Sequence, residues 1–178
     1  MLKLVWFSIP NGTKKKEAQR WAREALVREM GNIEIEKTEK GKPRIKGKEL
    51  NVSISYTRFL GCIAISDQDL GVDIEYLDDQ FPWEDLLWTL TAREKEIIFR
   101  IEPTKRREAF FHIWTKKEAF VKLLGTGFEV PPEEIETAEL ERYFHVVSKT
   151  LRHQNKRFVW SLITRRGMED DEKIASSV

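Results

Sequence analysis

The sequence predicts an α+β protein built from two similar halves, a pseudo-dimer in which each half has a small antiparallel sheet and a packed long helix. The order of predicted elements is β-α-β-β-β followed by α-α-β-β. Each group contains one helix long enough to cover a small sheet, Lys14–Met30 and Lys105–Leu124. We therefore expect an N-terminal half over 1–68, a C-terminal half over 69–166 and a flexible tail over 167–178.

The first half is predicted from alternating apolar segments on either side of one amphipathic helix. LKLVWFSI and NIEIEKTE have the pattern of strands, and NVSISYT and LGCIAIS form a predicted hairpin. The helix carries Trp21 and Ala25 at helical spacing and ends at Gly31. Gly41-Lys42-Pro43 is a predicted turn.

The second half opens with the predicted strand GVDIEYL. PWEDLLWTL is a short helix candidate, and Thr91 with Glu94 three residues later is a capping box that opens the helix AREKEIIFRI. The longest helix follows, and two strands are predicted near Tyr143–Thr150 and Arg157–Thr164.

Composition excludes several classes of protein. Among 178 residues, 31 are basic and 30 are acidic, a net charge of +1 that does not suggest a dedicated nucleic-acid binder. The single cysteine, Cys62, supports neither a disulfide framework nor a cysteine zinc site. No apolar run approaches the ~18 residues that a membrane span requires. We expect a cytoplasmic protein of a reducing compartment that binds no nucleic acid and no membrane.

Asp73 and Glu75 are the first candidates for chemistry. Side chains two apart on a strand share a face, so both carboxylates of GVDIEYL point the same way. One interpretation is a solvated strand face. The other is a site for a hard divalent cation such as Mg²⁺, which prefers oxygen ligands and relieves the repulsion between the carboxylates.

The long helix offers further charges where packing would favour apolar residues. Glu118 falls beside Trp114 and Val121, Lys117 falls on the adjoining apolar stripe, and Lys122 lies one turn beyond Glu118. Burying an unpaired charge is costly, so these groups must pair with each other, meet a metal or meet a charged ligand. A Glu118–Lys122 surface pair with an extended Lys117 is the alternative, and the helix does not decide between them.

Taken together, these segments resemble 4′-phosphopantetheinyl transferases of the larger, single-chain, surfactin-synthetase-activating type. GVDIEYL matches the family's G-[VI]-D-[IV]-E strand, and the later IWTKKEAFVK matches its W-[ST]-x-K-E-[AS]-x-x-K helix. Gly41-Lys42-Pro43 resembles the family's GKP turn, and NVSISYT resembles its N-x-S-H-S segment. The resemblance spans roughly 14–130, and the motifs are specific in this order and spacing.

The resemblance implies a function. The enzyme would transfer 4′-phosphopantetheine from coenzyme A to a serine of an apo acyl or peptidyl carrier protein and release 3′,5′-ADP. Mg²⁺ would be held by Asp73, Glu75 and Glu118, and either Glu118 or a metal-bound water would take the serine proton. Lys117 and Lys122 would stand near the pyrophosphate.

The same resemblance assigns coenzyme A contacts to the N-terminal half and the metal and catalytic residues to the C-terminal half. Its implied coenzyme A ligands are Lys14, Arg20, Lys42, Ser55 and Tyr56. The resemblance aligns Tyr56 with the position where the family commonly has His. Tyr56 would offer a hydroxyl there but no cation. The chain is also short for this type, which implies a trimmed first half. We expect a monomer.

Two other functions are weighed against this one. A relative could bind coenzyme A or a carrier protein without transfer, as Tyr56 and the trimmed first half would favour. A metal-dependent nuclease of the D…(D/E)-x-K kind needs an acid-x-lysine on a strand, and GVDIEYL has no lysine at that spacing.

Overall fold

Two antiparallel sheets, each covered by a long helix, make up the fold. The structure is a computed structural model that describes residues 1–39, 41–125 and 129–165. The first sheet has the strand order β1-β5-β4-β3-β2 and the second has the order β6-β8-β7. The first-sheet region comprises β1 (Leu2–Ser8), α1 (Lys15–Met30), β2 (Ile35–Lys37), β3 (Pro43–Ile45), β4 (Leu50–Tyr56) and β5 (Leu60–Ser66).

Along the chain, a helical segment separates β6 from the other two strands of the second sheet. This region comprises β6 (Leu70–Tyr76), a 3₁₀ helix (Trp83–Thr89), α2 (Ala92–Arg100), α3 (Pro103–Leu124), a second 3₁₀ helix (Pro132–Glu134), α4 (Thr137–Tyr143), β7 (Phe144–His153) and β8 (Lys156–Arg165). The predicted α+β class with two antiparallel sheets is confirmed. The internal similarity of the two halves stays a prediction.

The helix α1 packs on the first sheet through small side chains. Ala18, Ala22, Ala25 and Leu26 are buried and belong to the same core cluster as Ile63 and other residues of that sheet. Their spacing of four, three and one residues places them on one side of the helix. The short side chains allow the helix to lie close to the sheet, and the predicted span is confirmed to within one residue.

The strand β6 is an edge strand of the second sheet, and hydroxyl groups on and just after β4 accept hydrogen bonds from its outward amides. The backbone N–H of Val72 donates to Ser53 Oγ at 3.0 Å, and that of Ile74 donates to Ser55 Oγ at 3.3 Å. The N–H of Tyr76 donates to Thr57 Oγ1 at 3.4 Å. We call the three hydroxyl residues, Ser53, Ser55 and Thr57, the hydroxyl seam. It joins the two sheets without a continuous ladder of backbone bonds.

The helix α3 lies directly on the backbone of β6. A Cβ at Gly71 would stand 1.9 Å from the carbonyl oxygen of Ala119 and 2.6 Å from the backbone nitrogen of Leu123. Only glycine therefore permits this approach. The helix ends at Gly125, which adopts φ 71° and accepts the left-handed conformation that favours glycine.

Most predicted elements are present, and three short ones are missed: β3, α4 and the second 3₁₀ helix. The capping box of Thr91 and Glu94 is confirmed. The sequence patterns predict neither β3, which has three residues, nor α4, which has seven. Segments this short contain too few residues to show a repeating pattern of apolar positions. The predicted tail at 167–178 lies outside the described residues, and the functional division of the halves stays a prediction. In the described part of the chain, no helix combines the length and apolarity needed to cross a membrane.

The contact at Gly71 leads to a first prediction. Gly71→Ala places a methyl group against the backbone of α3, so the helix must move away from β6. We expect a loss of about 1–3 kcal/mol in the free energy of unfolding. Urea unfolding followed by circular dichroism measures it, and an unchanged midpoint would contradict the close packing of the helix on the strand.

Candidate active site

Asp73 is the centre of the polar cluster between β6, β4 and α3. Its Oδ1 accepts hydrogen bonds from Ser55 Oγ and from Lys122 Nζ, each at 2.7 Å. Its Oδ2 is buried and, among the described residues, has no hydrogen-bond partner. A buried carboxylate oxygen without a partner is costly unless another group reaches it. This oxygen is therefore available to a ligand.

Glu75 and Glu118 share the electrostatic environment of Asp73. Burial and the nearby Asp73 carboxylate raise the pKa of Glu75 to about 8, with a smaller raising effect from Glu118. Burial and Asp73 likewise raise the pKa of Glu118 to about 7. The Lys122 ammonium opposes both shifts, and a hydrogen bond from Trp114 opposes the first. The cluster therefore holds more negative charge than one lysine neutralises.

The donor set fits a hard divalent cation, although the side chains do not form a closed cage. In the described part of the chain, no three His, Cys, Asp or Glu side chains are arranged to hold a metal ion. Lys122 binds Asp73, so the alternative interpretation, a surface pair between Lys122 and Glu118, is not the arrangement found. The unpartnered Oδ2 of Asp73 and two neighbouring carboxyl groups are the oxygen ligands that Mg²⁺ prefers.

A cavity of about 260 Å³ is lined by two lysines, Lys42 and Lys122, the second of which binds Asp73. Lys42 donates to the carbonyl oxygen of Leu123 at 2.7 Å and reaches Asp69 at 3.3 Å. Lys122 lines the same cavity while it binds Asp73. We call this space the lysine cavity; its lining residues are Gly41, Lys42, Pro43, Val52, Ser53, Ile54, Val121, Lys122 and Gly125. Two ammonium groups make it suitable for an anion.

A second cavity, of about 290 Å³, is lined in part by Glu75, and four of its nine lining residues are aromatic. We call it the aromatic cavity; it is lined by Thr57, Arg58, Glu75, Tyr76, Asp78, Phe81, Leu86, Phe111 and Trp114. The two cavities contain opposite ends of the hydroxyl seam, because Ser53 lines the first and Thr57 lines the second. Ser55, the middle residue of the seam, binds Asp73.

Lys117 is not part of the cluster, which corrects the sequence-based placement. Its ammonium is buried and lies 2.6 Å from Glu94 Oε2. It also donates to the carbonyl oxygens of Thr89 and Pro132, each at 2.8 Å. All three donors are used away from Asp73, because Lys117 and Glu118 project from α3 about 100° apart. Lys117 therefore cannot stand near a pyrophosphate bound at Asp73 in this conformation.

The predicted coenzyme A ligands divide into those near the cluster and those away from it. Ser55 binds Asp73 directly, and Lys42 lines the lysine cavity. Tyr56 lines a different cavity, of about 230 Å³, beside the start of α1. Lys14 is exposed at that start, and Arg20 is exposed and pairs with Glu24 on its own helix. The structure does not connect these last two residues to Asp73 by a hydrogen bond or ion pair.

NVSISYT matches N-x-S-H-S in a register that differs from the one that placed Tyr56 at the His position. When Asn51, Ser53 and Ser55 occupy the Asn and Ser positions, the His position falls on Ile54 and not on Tyr56. Ile54 lines the lysine cavity and has no polar side-chain atom. Any polar contact that a His would make there is absent in this chain.

Several residues that shape the site were not singled out from sequence. Ser53 and Thr57 complete the hydroxyl seam, Trp114 binds Glu75, and Glu94 holds Lys117. The alternation of hydroxyl residues in NVSISYT is a signal for the seam, since alternate positions share a face. No comparable pattern links Glu94 to Lys117.

Comparison with known proteins identifies the family. Residues 69–170 match the 4′-phosphopantetheinyl transferase superfamily, and the chain belongs to it. The 4′-phosphopantetheinyl transferase HetI of Nostoc sp. is 30% identical over 116 residues, which cover 62% of this chain and 48% of that protein. The 4′-phosphopantetheinyl transferase psf-1 of Bacillus pumilus is 35% identical over 109 residues, 55% of this chain and 42% of that one.

A third relative gives a similar result. The 4′-phosphopantetheinyl transferase gsp of Aneurinibacillus migulanus is 28% identical over 108 residues, 56% of this chain and 41% of that protein. The matched segments thus span less than half the length of these relatives. The aligned family region contains Asp73, Glu75, Glu118 and Lys122, whereas Lys42 and Ser55 lie before it.

The raised pKa values of the two glutamates predict how stability depends on pH. A carboxyl whose folded pKa is above its ordinary value of 4.5 stabilises the folded state at low pH, and this contribution is lost as the pH rises through the folded pKa. The metal-free protein should therefore lose stability as the pH rises from 4.5 to about 8. Thermal melting in a chelating buffer over this range measures the slope.

Glu75→Gln should make that slope shallower, because one of the two protonated carboxyl groups is removed. Glu96→Gln is the matched control, since Glu96 is exposed and its ion-pair partner among the described residues is Arg100 on its own helix. A Glu75→Gln protein with the wild-type slope would contradict the crowded arrangement of carboxylates around Asp73.

Proposed function

We propose that this protein transfers 4′-phosphopantetheine from coenzyme A to a serine hydroxyl of an apo acyl or peptidyl carrier protein, with release of 3′,5′-ADP. The observation that carries the proposal is the buried, unpartnered Oδ2 of Asp73 beside Glu75 and Glu118. Membership of the superfamily and the names of the relatives support the same reaction.

The reaction places severe electrostatic demands on a site. A serine oxygen attacks the phosphorus that carries the pantetheine arm, a P–O bond forms, and the P–O bond to the 3′,5′-ADP leaving group breaks. Such transfer depends mainly on positioning and on neutralising charge at the phosphates. Asp73, Glu75 and Glu118 would hold Mg²⁺, which supplies positive charge to the phosphate oxygens when it is bound.

Lysines provide the positive charge that belongs to the protein itself. Lys122 is anchored to Asp73 and lines the lysine cavity, so its ammonium can stabilise the leaving diphosphate. Lys42 lies in the same cavity, which we assign to the nucleotide phosphates. The aromatic cavity beyond Glu75 suits the less polar pantetheine arm.

Glu118 is the protein group best placed to accept the serine proton. Burial and Asp73 raise its pKa to about 7, near the pH at which a general base is most effective. Ser55 contributes by orienting Asp73, since it donates to Oδ1 at 2.7 Å and accepts from the Ile74 amide. We thus reassign Ser55 from coenzyme A contact to support of the carboxylate cluster.

The remaining expectations follow from the proposed reaction. We expect the protein to meet these substrates in the cytoplasm and to act as a monomer that binds neither nucleic acid nor membrane. Lys14, Arg20 and Tyr56 stay candidates for the outer part of coenzyme A, around the start of α1.

A second function is supported by a specific observation. Ile54 replaces a polar residue in the N-x-S-H-S segment, and the described carboxylates are not arranged as a closed metal cage. A protein that binds coenzyme A or a carrier protein without transfer would have these features. The presence of Asp73, Glu75, Glu118 and Lys122 together favours transfer.

A direct assay separates the two functions. The protein is incubated with coenzyme A, Mg²⁺ and a panel of apo carrier proteins, and intact-mass spectrometry detects addition of one phosphopantetheinyl group to the acceptor. Transfer requires a mass gain that is lost when the acceptor serine is replaced by alanine. Coenzyme A binding without any mass gain across the panel would favour the non-catalytic function.

Removal of the metal gives a second test of the same proposal. Excess chelator should abolish transfer, and added Mg²⁺ should restore it, because the carboxylates alone repel the diphosphate. Transfer that continues at the full rate in chelator would rule out the proposed metal role.

Substitution of the carboxylates tests the site itself. Asp73→Ala and Glu118→Ala should each lower kcat by at least about 10²-fold, as expected when charge stabilisation in the transition state is lost. Glu96→Ala, on an exposed face of α2, should leave kcat unchanged. Wild-type turnover in either carboxylate variant would place the active site elsewhere.

A further inference from the structure

A buried ion pair between Lys117 and Glu94 lies next to the candidate active site but does not belong to it. Lys117 Nζ and Glu94 Oε2 are 2.6 Å apart, and both side chains are only 1% exposed. Charged groups this deeply buried are rare unless they are fully paired. The family resemblance had placed Lys117 at the pyrophosphate. Because its ammonium is bound to Glu94 instead, Lys117 must have another role.

Every donor of Lys117 is used, and each bond links α3 to a different segment. The ammonium donates to the Thr89 carbonyl at the end of the first 3₁₀ helix and to the Pro132 carbonyl at the second, each at 2.8 Å. The third contact is with Glu94 on α2. One side chain therefore anchors the middle of α3 to three neighbours.

Glu94 extends the same connections to a fourth segment. Its Oε1 accepts from the backbone N–H of Thr137 at 3.0 Å and from the Thr137 hydroxyl at 2.9 Å, at the start of α4. Its Oε2 also accepts from the Thr91 amide at 2.9 Å, which completes the capping box of α2. The pair thus has no unsatisfied bond and holds four helical segments around α3.

Stability alone gives a weak reason for such a pair. The cost of removing two charges from water roughly cancels their attraction, and apolar replacements of similar size are often as stable. What an ion pair adds over apolar packing is directional geometry, because its hydrogen bonds fix where the side chains lie.

The geometry is relevant because Glu118 follows Lys117 directly on α3. The opposite side of the helix is fixed by the contact of Gly71 with Ala119 and by the bond from Lys122 to Asp73. Rotation of α3 about its axis would move Glu118 relative to Asp73. Lys117 is attached on the remaining side and opposes that rotation.

We propose that Lys117 and Glu94 are positioning residues that hold Glu118 in reach of Asp73 and Glu75. The role assigned to Glu118 rests on the proposed function, but the placement of its carboxyl group is independent of that function. The pair contacts neither substrate nor metal and acts through the orientation of α3.

The test is a neutral replacement of the whole pair. Lys117→Met with Glu94→Gln removes both charges together, which avoids leaving one charge buried alone, and the amide oxygen can still accept from Thr137. We expect a folded protein whose kcat falls by at least about 10-fold while the KM for coenzyme A changes by less than about threefold. Mn²⁺ affinity, measured by electron paramagnetic resonance, should weaken about 10-fold, toward that of Glu118→Gln.

A surface ion pair on the same helix provides the matched control. Lys116→Met with Glu141→Gln removes the neighbouring pair, which joins α3 to α4 at the surface. This variant should keep wild-type kcat and Mn²⁺ affinity. Both values must be measured well below the melting temperature of each protein, so that loss of folded protein does not imitate loss of positioning.

Wild-type kcat and Mn²⁺ affinity in the Lys117→Met, Glu94→Gln protein would overturn the proposal. If that protein does not fold, Glu94→Asp alone decides, since it keeps a negative charge for the buried Lys117 and both carbonyl bonds of that lysine while it shortens the side chain: weakened Mn²⁺ affinity and kcat support positioning, and wild-type values contradict it. If the unmodified protein transfers nothing, the proposed function fails, while the Mn²⁺ comparison still tests the placement of Glu118.

Discussion

The arrangement of the whole site depends on one buried carboxylate, Asp73. It lies on the edge strand of the second sheet, where Ser55 from the first sheet and Lys122 from α3 both bind its Oδ1. A single oxygen thus joins the three elements that form the site. The other oxygen is left buried without a partner among the described residues, a cost that a bound cation would remove.

The packing of the two sheets explains how Asp73 reaches that position. The hydroxyl seam accepts hydrogen bonds from the β6 amides that are not paired with another strand. The edge strand β6 can therefore lie against the first sheet. Gly71 allows α3 to rest on the β6 backbone, which brings Glu118 and Lys122 beside Asp73. Fold and site are therefore coupled: a side chain at Gly71 or the loss of the Ser55 hydroxyl would disturb both.

The sequence predicts local features well and tertiary partners poorly. The shared face of Asp73 and Glu75 follows from strand alternation, and the unusual position of Lys117 on an apolar helix surface correctly indicated that it needs a partner. For Glu118 the need for a partner stays a prediction. The partner of Lys117 is Glu94, a capping residue of another helix, and no periodicity connects them. Family resemblance assigned Lys117 to the phosphates because the motif gives spacing but not direction.

We propose that Asp73, Glu75 and Glu118 together bind one divalent cation beside the hydroxyl seam. Crystals grown with Mn²⁺ and coenzyme A, with anomalous scattering recorded at the manganese edge, test it most directly. We expect one strong anomalous peak in contact with Asp73 Oδ2, with carboxylate oxygens of Glu75 and Glu118 and with the diphosphate. A diphosphate bound elsewhere, or a peak that Asp73 does not contact, would contradict it.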